Sequence, residues 1–232
     1  MMKNIMQKLH RFLLNPSAYI KCWRRQYSVY KRKNWLKKQR KKLRNTDFSL
    51  ISSNCNGGVL LSDLGLEFKS PFVNLFMTAP DYAKLLNDLK GYMSAKLRFV
   101  KEEDPILGDA SYPTAYLKDV KIYFMHYASE KEALDAWERR SQRINWNNLY
   151  VIFTDRDGCT QEILEKFDRL PFEHKVVFTH VPHPEIKSSF YIKGYEEEET
   201  VPVLSDFANV NRPTKRIYER FNFVKWLNEG AR

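Results

Sequence analysis

Short apolar runs stopped by polar turn residues recur along most of this chain. Phe48–Ile51, Leu149–Phe153 and Lys175–Phe178 are short, β-branched or aromatic, and end at Asn, Gly, Asp or Thr, which predicts buried strands. Phe72–Met77, Leu97–Val100, Val120–Met125 and Phe190–Ile192 read as further strands, with a loop through Pro105, Gly108 and Pro113. Between them the period changes to that of a helix. Pro80 stands where a helix through Asp81–Tyr92 would begin. Ser129 opens a capping box with Glu132 and a helix towards Arg143, and Cys159–Arg169 follows a cap at Asp157 or Thr160. Ile217–Asn228 closes the chain as an amphipathic helix. Alternating strands and helices predict an α/β fold, with a parallel or mixed sheet carrying helices on both faces.

The first 45 residues have a different pattern. Met1–Leu14 places Ile5, Leu9, Phe12 and Leu13 on one helical face before Pro16 interrupts. After Ser17, a second helix repeats Tyr19, Ile20, Trp23, Tyr27 and Tyr30 at three- and four-residue steps. Charge sharpens the division. The net charge of +11 is misleading as a whole-chain value, because residues 1–45 hold 15 Lys/Arg and no acidic residue, leaving 24 basic against 28 acidic residues afterwards. The expected organisation is therefore a basic helical arm, 1–45, joined to an α/β domain, 46–232. Such an arm, with aromatic boundaries and about 1 kcal/mol of attraction per basic residue, suits an anionic membrane surface through residues 1–44. A helix packed on the body is the competing reading. Nucleic acid is disfavoured, because no nucleic-acid motif accompanies the charge.

Three unpaired cysteines, Cys22, Cys55 and Cys159, fit free thiols in a reducing cytosol rather than a disulfide scaffold. No apolar run approaches the roughly 20 residues that span a bilayer, and no export signal is evident. The expected location is cytoplasmic, peripheral on the inner face of the cell membrane.

Candidate chemistry gathers just past the predicted strand ends, where open α/β sheets bind ligands. Cys55, in Ser52-Ser53-Asn54-Cys55-Asn56-Gly57-Gly58, is a candidate nucleophile whose thiol backbone N–H groups could activate, with His180 or His126 as base. Asp155 offers an orienting or acid–base carboxylate. With Asp157 it also forms an Asp-x-Asp that could hold Mg²⁺ or Mn²⁺, although the same residues can simply cap a helix. Asn54, Gly57, Gly58, Arg156, Asp157 and His126 are candidate substrate-binding residues. His180 and His183 are too few for a clear zinc site, and His174 precedes its strand. Neither a phosphate-loop nor a dinucleotide motif occurs.

The run Ser52–Gly58, followed by Gly65, Ser70-Pro71, Asn74-Leu75 and Thr154-Asp155-Arg156-Asp157-Gly158-Cys159, resembles the bacterial family known as domain of unknown function 1919. The resemblance spans roughly residues 46–228, with Ser53 departing from the family's usual Ser-Asn-Asn-Cys and Asn56 standing where the family has an aromatic before the glycines. The family's label, exopolysaccharide biosynthesis protein, implies a place in capsular or exopolysaccharide assembly; with the candidate residues above, the expectation is a transferase acting on a polysaccharide precursor such as a lipid-linked one. Three expectations follow: acyl transfer from an acyl-CoA donor to a sugar hydroxyl through Cys55; metal-dependent glycosyl transfer from a nucleotide sugar; and non-enzymatic glycan binding or scaffolding.

Overall fold

A computed structural model describes residues 16–101, 104–106, 108 and 112–230. The helix expected over Met1–Leu14 lies outside the described residues. In chain order come helix α1 (Pro16–Lys42), strand β1 (Ser49–Ser52), and helices α2 (Asn56–Leu64), α3 (Ala79–Asn87) and α4 (Leu89–Met93). Strands β2 (Leu97–Val100), β3 (Thr114–Leu117) and β4 (Val120–Tyr123) follow, then helix α5 (Glu130–Ser141), strand β5 (Leu149–Thr154) and helix α6 (Gln161–Arg169). Strands β6 (His174–Thr179) and β7 (Ser189–Tyr191), a 3₁₀ turn (Ile217–Arg220) and helix α7 (Phe223–Glu229) complete the chain.

The main sheet has the order β1-β5-β6-β7, all parallel, and a separate antiparallel sheet has the order β2-β3-β4. Strand side chains alternate between two cores, as the pleat requires. Ile51, Val151, Phe153 and Val177 face one core, shared with α3, α5, α6 and the antiparallel sheet. Leu50, Tyr150, Ile152, Val176 and Phe178 face the other, shared with α2 and α7. Burial on both faces explains the nearly continuous apolar runs.

Five elements depart from the sequence expectations, among them α2, which begins at Asn56 where the run Ser52–Gly58 reads as a loop. Phe72, Val73, Leu75 and Met77 are buried, but among the described residues their segment makes only the isolated bridge Phe76–Tyr123, because Asn74 at φ 61° breaks its extension. The apolar pattern there records burial without a ladder. Thr114–Leu117, expected to be loop, is the central strand of the antiparallel sheet. The helix expected through Tyr92 breaks at Asp88, whose carboxylate accepts the Gly91 N–H and caps a new helix. The closing helix breaks similarly at Asn222, which caps Lys225. At α5, Ser129 accepts the Glu132 N–H as expected, while Glu132 reaches back to the N–H of Ala128.

Helix α1 packs on the body across the 45/46 boundary. Ser28, Arg32 and Leu36 are buried, and Arg32 pairs with both Asp63 and Glu219. Arg216 also bonds Asp63 at 2.8 Å, and the Tyr218 hydroxyl donates to Asp63 at 2.6 Å. Arg40 donates to the Asp63 carbonyl at 2.9 Å, satisfying a group at the C-terminus of α2. A buried guanidinium between two carboxylates is costly to separate, since any partner left behind is an uncompensated buried charge.

Candidate functional site

The sheet opens a crevice where consecutive neighbours send their chains to opposite sides. After β1, α2 turns to one face, burying Leu60, Leu61 and Leu64 there. After β5, α6 turns to the other, burying Leu164 and Phe167. Parallel strands whose continuations diverge leave a cleft beyond their carboxyl ends. At this fork the Tyr82 hydroxyl sits 3.0 Å from both the Ile51 and Ile152 carbonyl oxygens. A cavity of about 320 Å³ lies beyond it.

The β1 side is held by local asparagine bonds. Asn54 Oδ1 accepts the Asn56 N–H at 3.1 Å, and its amide lies 3.5 Å from Thr154 Oγ1, joining the two loops. Asn56 Oδ1 accepts the Ser205 N–H at 3.0 Å, bringing the segment around Val203 to the cavity wall. Cys55 lines the cavity with its Sγ 3.9 Å from the Leu75 carbonyl oxygen. Burial pushes its thiol up, the opposite of the activation expected from neighbouring N–H groups. Gly57 and Gly58 are buried, and a Cβ on them would come within 2.8 Å of Ser52 Cβ and 3.0 Å of Val73 Cγ1. Close packing of α2 against β1 at Gly57 and against the irregular Phe72–Met77 segment at Gly58 therefore accounts for both glycines without a ligand.

The β5 side separates its two carboxylates. Asp155 is 7% exposed and accepts from the His180 N–H and Nδ1, each at 2.6 Å, and from the Val201 N–H at 2.8 Å. Both of its oxygens are thus engaged by nitrogen donors. Asp157 lines the cavity, in the left-handed backbone region at φ 61°, and no hydrogen bond reaches its carboxylate among the described residues. Burial pushes this carboxyl above its ordinary range, partly opposed by the Arg156 charge. Thr160 caps α6, accepting the Ile163 N–H at 3.3 Å, so Asp157 is not the cap. Arg156 donates to the Val201 carbonyl at 2.7 Å and also reaches the cavity wall. Behind it, burial and then the charges of Asp155 and Asp157 push the Cys159 thiol up to about 12.

Cys55, Asp155 and His180 follow three parallel strands and so lie at the same end of one sheet. Strand β5 nevertheless stands between β1 and β6, placing the loop of Cys55 roughly two strand spacings, or about 9.6 Å, from that of His180. His180 is engaged by Asp155, and no hydrogen bond joins it to Cys55 among the described residues. His126 follows β4, which belongs to the antiparallel sheet and ends at Tyr123; Met125, not His126, lines the cavity. His174 is at the opposite end, lining a separate polar depression with Arg44, Asp47 and Glu173.

The cavity gains a wall that sequence inspection did not reveal. Phe76 and Tyr123 pack with ring centroids 5.1 Å apart, and Tyr112 and Met125 continue their apolar surface. Asp104 accepts from the Tyr123 hydroxyl at 2.7 Å, fixing that ring. These residues come from segments separated by the unrecognised strand β3, and their spacing carries no motif. Together they make a concavity with one apolar wall and a few polar groups, a pattern common in small-ligand sites. No group of three or more His, Cys, Asp or Glu placed to hold a metal occurs among the described residues.

Residues 26–228 match the family described as domain of unknown function 1919, and the chain belongs to that family. The match begins twenty residues before the stretch whose motifs suggested it, and so includes the docked part of α1. An uncharacterized protein of Haemophilus influenzae is 40% identical over 219 residues, covering 94% of this chain and all of that protein. No helix among the described residues is long and apolar enough to cross a membrane.

Proposed function

We propose that this protein is a transferase of capsular or exopolysaccharide assembly that acts on a sugar hydroxyl of a lipid-linked precursor in the β1–β5 crevice, at the cytoplasmic face of the membrane. The observation supporting this reading is the meeting of Asp157 with an aromatic wall in one cavity. Phe76 and Tyr123 offer apolar faces to the carbon skeleton of a sugar, while Asp157 offers a carboxylate whose oxygens are not claimed by a hydrogen bond among the described residues. In the ionised form, Asp157 takes the proton of the attacking hydroxyl as the new bond forms. Arg156 uses one nitrogen on Val201 and retains other donors for an anionic donor molecule, such as a nucleotide sugar or acyl-CoA.

The Cys55 thiol on the same cavity wall favours a second reading, acyl transfer. As its sulfur attacks the thioester of an acyl-CoA, Asp157 takes the thiol proton and passes it to the departing CoA sulfur, releasing the CoA thiol. The sugar hydroxyl then attacks the Cys55 thioester, and its proton passes through Asp157 to the departing Cys55 sulfur, regenerating both the thiol and the carboxylate. The position of β5 makes Asp157, rather than His180, the base in this scheme. Asp155 and His180 then act as positioning residues.

Cells producing Asp157→Asn or Cys55→Ser, at matched protein levels, separate these readings through the chemical structure of their surface polysaccharide. Both readings predict loss of the modification with Asp157→Asn. Loss with Cys55→Ser as well selects the covalent acyl route, whereas its retention selects direct transfer from a nucleotide sugar. An unchanged polysaccharide in both variants refutes catalysis in this crevice and leaves glycan binding or scaffolding.

A further inference from the structure

We infer that α1 is a preoriented docking face for an anionic bilayer surface. Helix α1 contains eleven Lys/Arg and no acidic residue. With about 100° of rotation per residue, Ile20, Trp23, Tyr27 and Tyr30 fall within an arc of about 80°. Their exposures are 42%, 59%, 46% and 61%. The buried positions Ser28, Arg32 and Leu36 centre about 160° around the helix from that arc. The body thus grips one side and turns the aromatic side outward.

The outward stripe changes character along its length. Trp23 and Tyr27 stack with centroids 5.6 Å apart, and Lys31 lies 4.8 Å over the Tyr27 ring. Two turns later, Lys37, Lys38 and Lys41 take the same side and are exposed. Aromatic rings belong at headgroup depth, where one edge meets apolar chains and the other water, while lysines extend their charges towards anionic headgroups. This charge complementarity identifies an anionic bilayer as the occupant. The buried Arg32 pairs prevent the helix from turning this side inward without breaking its attachments. The helix lies on the surface, with its long axis along it, rather than entering as a span. This inference is independent of the chemistry in the crevice.

The test uses the full chain in co-sedimentation with phosphatidylcholine vesicles, with and without phosphatidylglycerol. Binding should require phosphatidylglycerol and weaken as salt rises. Combined Lys37→Gln, Lys38→Gln and Lys41→Gln should reduce partitioning more than about tenfold. Combined Ile20→Ser, Trp23→Ser and Tyr30→Ser should reduce it similarly, while both variants keep the wild-type melting temperature because the altered side chains are exposed. Trp23→Phe supplies a milder control that should retain most binding. Absence of anionic-vesicle binding by the unaltered protein overturns the inference. Equal binding by all variants does so too, as does variant-sensitive binding to a single-stranded RNA probe without vesicle binding.

Discussion

Asp155 and Asp157 stand two residues apart on the same loop, yet their surroundings assign them opposite work. Asp155 receives three nitrogen donors and ties the ends of β5 and β6 to Val201. Asp157 faces the cavity without such donors among the described residues, and burial makes its charge costly. The first arrangement secures backbone; the second leaves a carboxylate that no described residue engages by a hydrogen bond. Position beyond a strand end is thus insufficient to mark a reactive carboxylate: what separates the two is whether the protein has already used their oxygens.

The largest expected effect comes from Asp155→Ala. It strands the Val201 and His180 N–H groups and releases the imidazole, so stability should fall by about 3 kcal/mol in denaturant unfolding. A loss below about 0.5 kcal/mol would erase the structural side of the contrast. His180→Ala should cost less, about 1–2 kcal/mol, because the residue 180 N–H can still donate to Asp155. Comparing this variant with Asp155→Ala and the double change would reveal how much of the Asp155 role passes through the ring. Additive losses would break the proposed coupling.

The smallest effect has the opposite sign. Asp157→Asn should stabilise the fold at neutral pH, by less than about 1 kcal/mol, because it removes a carboxylate whose ionisation is disfavoured by burial. Folding raises this carboxyl above its unfolded value, so the cost of ionisation is present at neutral pH. That cost declines as pH falls through the folded value and disappears below the ordinary carboxylate value near 3.8. Thermal melts of the variant and parent should therefore converge in acid. A neutral-pH loss of stability would show that the Asp157 charge serves the fold.

The same distinction marks the limits of reading the chain. β1, β5 and β6 were legible because both faces of their sheet are buried, making short apolar runs conspicuous. Their direction and order also put Cys55, Asp155 and His180 at one sheet end. The sequence could not place β5 between Cys55 and His180, since strand order depends on packing between distant segments. Nor could it distinguish the bonded Asp155 from the available Asp157, for both sit in one Asp-x-Asp. The aromatic wall escaped because Phe76 lies in a buried irregular segment and Tyr123 reaches it through an antiparallel pairing of only four-residue strands.

Arg32 also imposes an order on biosynthesis. One of its partners, Asp63, follows after 31 residues, but Glu219 follows only after 187. At usual translation speeds the second carboxylate is made roughly 10–40 s after the arginine. The helix synthesised first consequently cannot receive its complete clasp until nearly the whole chain has been made, and its aromatic stripe is available to the cell before the body that orients it is closed.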